Sequence, residues 1–201
     1  MVEIYGYLED IWYQFFSPKG EGGGGEEYLL LLHRYNIRSG KVLDLGCGTG
    51  RVSNCLARNG FFVVGADLCS QCVKSAKSKN TNAEYVVQDY YTLGVQGKFD
   101  VILLILTYTW NDDKDKNVEF FKVMNNLLRD EGIVIFQGAV REFVVPQNPW
   151  TTARWVNDYL FITNHDLDVR TGYMKIEGEI YKKFNEDTLK LIHRKVENVY
   201  V

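Results

Sequence analysis

The sequence predicts an α/β fold: a doubly wound, mostly parallel sheet with an appended C-terminal antiparallel β-meander. Three observations predict it. Short apolar runs at 42–45, 61–66, 83–87, 101–106 and 133–136 alternate with segments of helical period. Runs such as Val101-Ile102-Leu103-Leu104-Ile105-Leu106 are continuously apolar, as parallel strands covered on both faces are. Beyond Gly138 the pattern changes to strand-like alternation broken by turns.

The elements follow in chain order. Residues 1–16 carry Tyr5, Tyr7, Trp12, Tyr13, Phe15 and Phe16, and read as a helix that packs on the domain, closes over a ligand, or both. Ser17 to Gly25, with Pro18 and four successive glycines, has the composition of a hinge. A moving lid and a passive loop both suit it. Glu26 to Tyr35 is expected to be a helix with Leu29, Leu30 and Leu32 toward the core. Its Glu26 and Glu27 suit the positive end of the helix dipole. Strand one, Val42 to Leu45, runs into the turn Gly46-Cys47-Gly48-Thr49-Gly50 and a helix over 51–59, where Val52, Cys55 and Leu56 recur at helical spacing. Gly60 is the stop signal. Strand two ends at Asp67, a helix spans 70–78, and strand three leads into Gln88-Asp89-Tyr90.

Strand four begins after Gly97 to Asp100, and 111–117 is a polar loop. Val118 to Arg129 is a helix with Phe120, Phe121, Met124, Leu127 and Leu128 as its core face. Asp130-Glu131-Gly132 turns into strand five. Farther on, Trp150 to Val156 has no clear period and is assigned a short helix. Segments 159–163, 172–184 and 188–199 form a three-stranded meander. The expected organisation is a ligand-binding domain over 1–138, with a helical lid at 1–25, and a substrate-side cover over 139–201.

Bulk properties narrow the function. The 201 residues suffice for one α/β domain. A net charge of −3 supplies no basic field for nucleic acid. No apolar run approaches the roughly 20 residues that span a bilayer. The N-terminus lacks a basic stretch followed by an apolar one, which places the protein in the cytoplasm. Cys69-Ser70-Gln71-Cys72 invites a redox or zinc reading, but it has no second pair, Cys47 sits inside the glycine turn and Cys55 fits a helix core. The four cysteines are therefore read as structural, and no metal site is expected.

The turn carries the chemistry. Glycines at alternate positions allow a sharp turn and the close approach of a ligand, with the next helix's first amides aimed at it. An acid, Asp44, lies two residues before the first glycine, and a second, Asp67, ends the next strand. A dinucleotide-binding turn also has an acid after strand two, but its spacing is Gly-x-Gly-x-x-Gly. Here the third glycine is Gly50 and position 51 is Arg, and a pyrophosphate would be repelled by Asp44.

Over residues 28–137 the chain resembles the class I, Rossmann-like, S-adenosylmethionine-dependent methyltransferases. Val42 to Gly50 matches their first motif, Asp67 the acid after strand two, Gln88-Asp89 the adenine-contacting position, Phe99 to Leu106 the strand-four motif, and Leu127 to Ile133 the turn before strand five. The resemblance implies S-adenosyl-L-methionine as cofactor. It implies that Gly46, Cys47, Gly48 and Gly50 line the methionine moiety and ribose. Asp44 would order the turn and approach the amino group, and is equally compatible with capping local amides. Asp67 would accept from both ribose hydroxyls, as charge-assisted bonds. Leu68 would pack on adenine, and Asp89, with Gln88 and Tyr90, would read its edge; Asp89 also suits a helix cap. Leu104 of strand four completes the implied set.

Methyl transfer from a sulfonium asks mainly for alignment and desolvation, and a base is optional. Candidate catalytic residues are Tyr13, Tyr108 and His165, with Trp110 beside Tyr108; each also has a plain packing or surface reading. The strand-four exit, Leu106-Thr107-Tyr108-Thr109-Trp110, lacks the Asn/Asp-Pro-Pro-Tyr signature of enzymes acting on planar nitrogens. These features favour an amine or hydroxyl of a small molecule as acceptor. The helix and hairpin that usually complete such a sheet have no counterpart here. That motivates the alternative of a non-catalytic cofactor-binding module or partner subunit, and an open sheet edge that favours a homodimer.

Overall fold

The structure is a computed structural model that describes residues 24–79, 82–107, 113–138 and 147–200. These form two compact units, one of 24–107 with 115–137 and one of 147–200. The expected helix at 1–16 and the hinge up to Gly23 lie outside the described residues.

The first unit opens with helix α1 (Glu26–Arg34), followed by β1 (Lys41–Leu45), α2 (Arg51–Arg58), β2 (Phe62–Asp67), α3 (Ser70–Ser78), β3 (Glu84–Val87), a 3-10 turn (Tyr90–Thr92), β4 (Phe99–Ile105), α4 (Lys114–Leu127) and β5 (Leu128–Gln137). The five strands are parallel, in the order β3-β2-β1-β4-β5. Alternation along each strand sends successive side chains to opposite faces. Val42, Val63, Val101, Leu103 and Ile105 pack with Tyr28 and Leu32 of α1 and Val52 and Leu56 of α2. Leu43, Leu45, Val64, Ile102 and Leu104 pack with Phe120 and Met124 of α4 on the other face. Both faces are covered, which is why these strands read as continuous apolar runs.

Several expectations are corrected at the boundaries. On α1, Leu32 is fully buried and Leu29 packs at the core margin, but Leu30 is 68% exposed; Tyr28 takes the second buried position instead. Helical spacing explains it, because positions 28 and 32 stand one above the other. On α4, Phe121 is exposed while Phe120 and Met124 are buried. That helix starts at Lys114, inside the expected polar loop, and ends at Leu127. Strand β5 begins at once: Leu128 pairs with Phe99, and the register then shifts before Val101 pairs with Ile133. The expected turn survives as a kink within the strand, with Glu131 at φ 63°.

The second unit is one antiparallel sheet in the order β6-β7-β8-β9, built from β6 (Trp150–Val156), β7 (Tyr159–Asp168), β8 (Tyr173–Asn185) and β9 (Thr188–Tyr200). The meander therefore has four strands, not three. Trp150–Val156 is a strand because it pairs residue for residue with β7, from Trp150 opposite His165 to Val156 opposite Tyr159. Its β-branched and aromatic residues suit that pairing. Leu167, Met174 and Ile176 are buried in this unit, with Trp150 packed against them. Among the described residues no helix is long and apolar enough to cross a membrane.

Candidate active site

Strand order reverses between β1 and β4, and ligands of doubly wound sheets bind beyond the carboxyl ends of strands at such a point. The turn after β1 and the exit of β4 meet there. Leu106 leaves β4 at φ 52°, and its N–H donates to the Gln137 carbonyl. The Thr107 hydroxyl donates to the Leu45 carbonyl at 3.1 Å and lies against Gly46. A Cβ at Gly46 would stand 2.4 Å from Thr107 Oγ1, so this glycine is demanded by the chain's own packing. Gly48 differs. At φ 53° it has no described residue within 4 Å of where a Cβ would be.

Asp44 lies under this turn, on the sheet face that carries α2. It is 2% exposed, and Ser53 Oγ of α2 donates to its Oδ2 at 2.5 Å. Burial pushes its carboxyl up to about 6; the Ser53 hydrogen bond opposes the rise, the charge of Asp67 adds to it and Arg51 offsets part. The Ser53 backbone N–H also donates to this carboxylate, so Asp44 caps a local amide, a reading compatible with a role at the ligand.

Asp67 joins two turns. Its Oδ2 accepts the Gly48 N–H at 2.7 Å, and its Oδ1 accepts the Cys69 N–H at 2.8 Å. A carboxylate oxygen has two lone pairs, so each keeps one to offer a hydroxyl. The neighbouring Leu68 is 49% exposed. Cys69 caps α3, its sulfur accepting the Cys72 N–H, and the two cysteines are joined as a disulfide. Cys47 and Cys55 are free and buried. The pair sits at the foot of Asp67, where it fixes the start of α3.

Asp89 caps the 3-10 turn, its Oδ1 accepting the Tyr91 N–H at 2.8 Å, as one of its two readings holds. Beside it, the Gln88 N–H donates to the Asp67 carbonyl at 2.9 Å, while its side-chain amide donates to the Thr92 carbonyl. Tyr90 packs on Tyr91 and Phe120, and burial raises its hydroxyl pKa. Asp44, Asp67 and Asp89 thus stand at the ends of β1, β2 and β3. Leu104 does not join them. At 1% exposure it is enclosed on the α4 face, because strand alternation turns it away from the turn after β1.

On the α1 side, Arg51 pairs with Glu27 at 3.0 Å and stands over the Tyr28 ring at 5.9 Å. The Tyr28 hydroxyl donates to the Gln137 side chain at the end of β5. Behind the glycine turn, Tyr85 Oη donates to Asn54 Oδ1 at 2.8 Å. Ser53, Thr107, Asn54 and Tyr85 escaped the sequence reading. A serine or asparagine within a helix ordinarily signals a solvent face, and only the burial of α2 from Val52 to Ala57 makes these positions internal.

Tyr13 and Tyr108, with Trp110, lie outside the described residues. His165 belongs to β7 in the second unit. Its ring stacks on Trp150 at 4.3 Å, its Nε2 meets Thr163 Oγ1 at 3.0 Å, and its Nδ1 has no partner among the described residues. Burial lowers its pKa, so it is neutral at neutral pH. It borders a cleft of about 230 Å³ lined also by Asn164, Asp166, Lys175 and Glu177. Among the described residues no cluster of His, Cys, Asp and Glu could hold a metal.

Comparison with known proteins assigns this architecture. Residues 42–132 match the family model of the methyltransferase domain. Within the first unit, residues 42–132 carry the methyltransferase domain, whose class I, Rossmann-like members use S-adenosyl-L-methionine. The chain is 36% identical over 103 residues to "Putative methyltransferase YqeM" of Bacillus subtilis (strain 168), covering 48% of this chain and 41% of that protein. It is 32% identical over 111 residues to the malonyl-[acyl-carrier protein] O-methyltransferase of Hamiltonella defensa, covering 54% and 42%. The chain thus spans less than half the length of these relatives. The whole fold, meander included, resembles an S-adenosylmethionine-dependent methyltransferase from Clostridium acetobutylicum ATCC 824, with a TM-score of 0.74 at 16% identity over 98% of this chain and 81% of that one.

Proposed function

We propose that this protein is a cytoplasmic enzyme that transfers the methyl group of S-adenosyl-L-methionine to an amine or hydroxyl of a small molecule. The observation that carries the cofactor half is the row of three acids at the ends of β1, β2 and β3, with Asp67 accepting the Gly48 N–H. Asp44 is buried and its charge would repel a phosphate, so a ligand with a cationic amino group and no phosphate suits it. Asp67 has free lone pairs for a ribose, and exposed Leu68 beside it and Asp89 after β3 support the reading that an adenine follows. The bound cofactor supplies an electrophilic methyl on a sulfonium. The chain's own part is to bind, to orient and to exclude water from the transfer.

The acceptor half rests on likeness and on what the sequence lacks. By name, the Hamiltonella defensa relative methylates oxygen, and a structurally similar sugar N-methyltransferase from Streptoalloteichus sp ATCC 53650 (TM-score 0.71, 14% identity) methylates nitrogen. A net charge of −3 disfavours nucleic acid as acceptor. The test is turnover: labelled S-adenosyl-L-methionine offered with a panel of amino sugars, other small amines and hydroxy compounds. Label transfer to at least one is the expected outcome. Tight cofactor binding without transfer to any member would favour a non-catalytic binding module instead.

A further inference from the structure

We infer that Ser53 is a positioning residue that presents Asp44 to the amino group of the cofactor. The inference rests on the proposed reading of Asp44 and extends it to a side chain that meets no ligand. Ser53 is 0% exposed and Asp44 2%, and the 2.5 Å bond between them occupies one carboxylate oxygen, Oδ2. The Ser53 N–H donates to the same carboxylate, so one residue fixes the carboxyl plane that an ammonium would meet. The anchor also acts on charge. A donated hydroxyl stabilises the carboxylate over the carboxylic acid, so Ser53 holds ionised a group that burial would otherwise neutralise.

The other charged and titratable groups around Asp44 are few. Asp67 at the end of β2 raises its pKa and Arg51 of α2 lowers it. Burial pushes up the Cys47 thiol and the Tyr28 hydroxyl of α1, the charge of Asp44 adds to both, and both stay neutral. The strand neighbours opposite Asp44, Gly65 and Leu103, carry no charge. A cation that binds Asp44 needs it ionised, so affinity rises with pH up to its pKa and levels above it. Loss of the hydroxyl moves that midpoint upward.

The experiment is calorimetry from pH 5 to pH 7.5 with two ligands. S-adenosyl-L-homocysteine has the amino acid moiety; 5′-methylthioadenosine keeps the adenosine and sulfur without it. Ser53→Ala is expected to weaken S-adenosyl-L-homocysteine about tenfold near pH 6.5 and to raise the midpoint by about one pH unit. Binding of 5′-methylthioadenosine should stay within about twofold, and Ser53→Thr should restore both affinity and midpoint. If Ser53→Ala does not fold, Ser53→Cys, a weak donor, must still raise the midpoint. An equal loss for both ligands with the midpoint unmoved overturns the inference and leaves Ser53 a packing residue. If instead wild type shows no pH dependence and Asp44→Asn binds S-adenosyl-L-homocysteine as wild type does, the reading of Asp44 itself has failed, and Ser53 with it.

Discussion

Asp44 is held inside the protein by the hydroxyl and the backbone N–H of Ser53, with its carboxyl raised to about 6 by burial. The consequence for stability has a definite sign. Between about pH 4 and pH 6 the folded protein holds a proton that the unfolded chain has released, so stability falls as pH rises through that window and levels above it. Asp44→Asn removes the dependence. Denaturation at pH 7.5 should find the ligand-free variant more stable than wild type by about 1–2 kcal/mol, with cofactor affinity lost. The glycines make a second contrast. Gly46→Ala forces a Cβ into Thr107 at φ 72° and should cost about 3 kcal/mol or more. Gly48→Ala meets no neighbour among the described residues and should cost only about 1–2 kcal/mol for its backbone. Its methyl enters the space assigned to the ligand, so its chief effect should be on binding. Chemical denaturation and cofactor titration of the two variants separate these outcomes.

The strands and helices were legible to different degrees, for physical reasons. The parallel strands announced themselves because both faces are covered, and α2 and α3 fall where the apolar spacing and Gly60 put them. What the sequence hid depended on partners. Trp150–Val156 is a strand only because β7 lies alongside it, and no periodicity within those residues reveals a neighbour. Leu30 and Tyr28 exchanged roles because both are apolar enough for a core and only packing chooses. That choice is testable. Leu32→Ala should lose about 2–5 kcal/mol of stability, whereas Leu30→Ala should stay within about 0.5 kcal/mol, as measured by urea unfolding. The glycine turn with Asp44 and Asp67 was readable from spacing and Asp89 from the family resemblance, and the structure places all three acids at strand ends. Ser53, Thr107, Asn54 and Tyr85 were not, since polar residues give no sign in one dimension of the side chain they will serve in three.

For the molecule as a whole, a methyltransferase domain carries a second unit of four antiparallel strands. The acids lie in the first unit and His165 in the second. If His165 is the acceptor's base, His165→Ala should reduce turnover about 100-fold or more with cofactor affinity unchanged; rate and titration measured on the same preparation check this. If turnover is unchanged, its stacking on Trp150 is structural. Everything proposed for either unit begins with the cofactor, so the most direct measurement is isothermal titration of wild type and Asp67→Ala with S-adenosyl-L-methionine. The account predicts stoichiometric binding by wild type and an affinity about 100-fold weaker in Asp67→Ala, from the loss of two charge-assisted hydrogen bonds. Absence of binding by folded wild type, or equal binding by the two proteins, would contradict it.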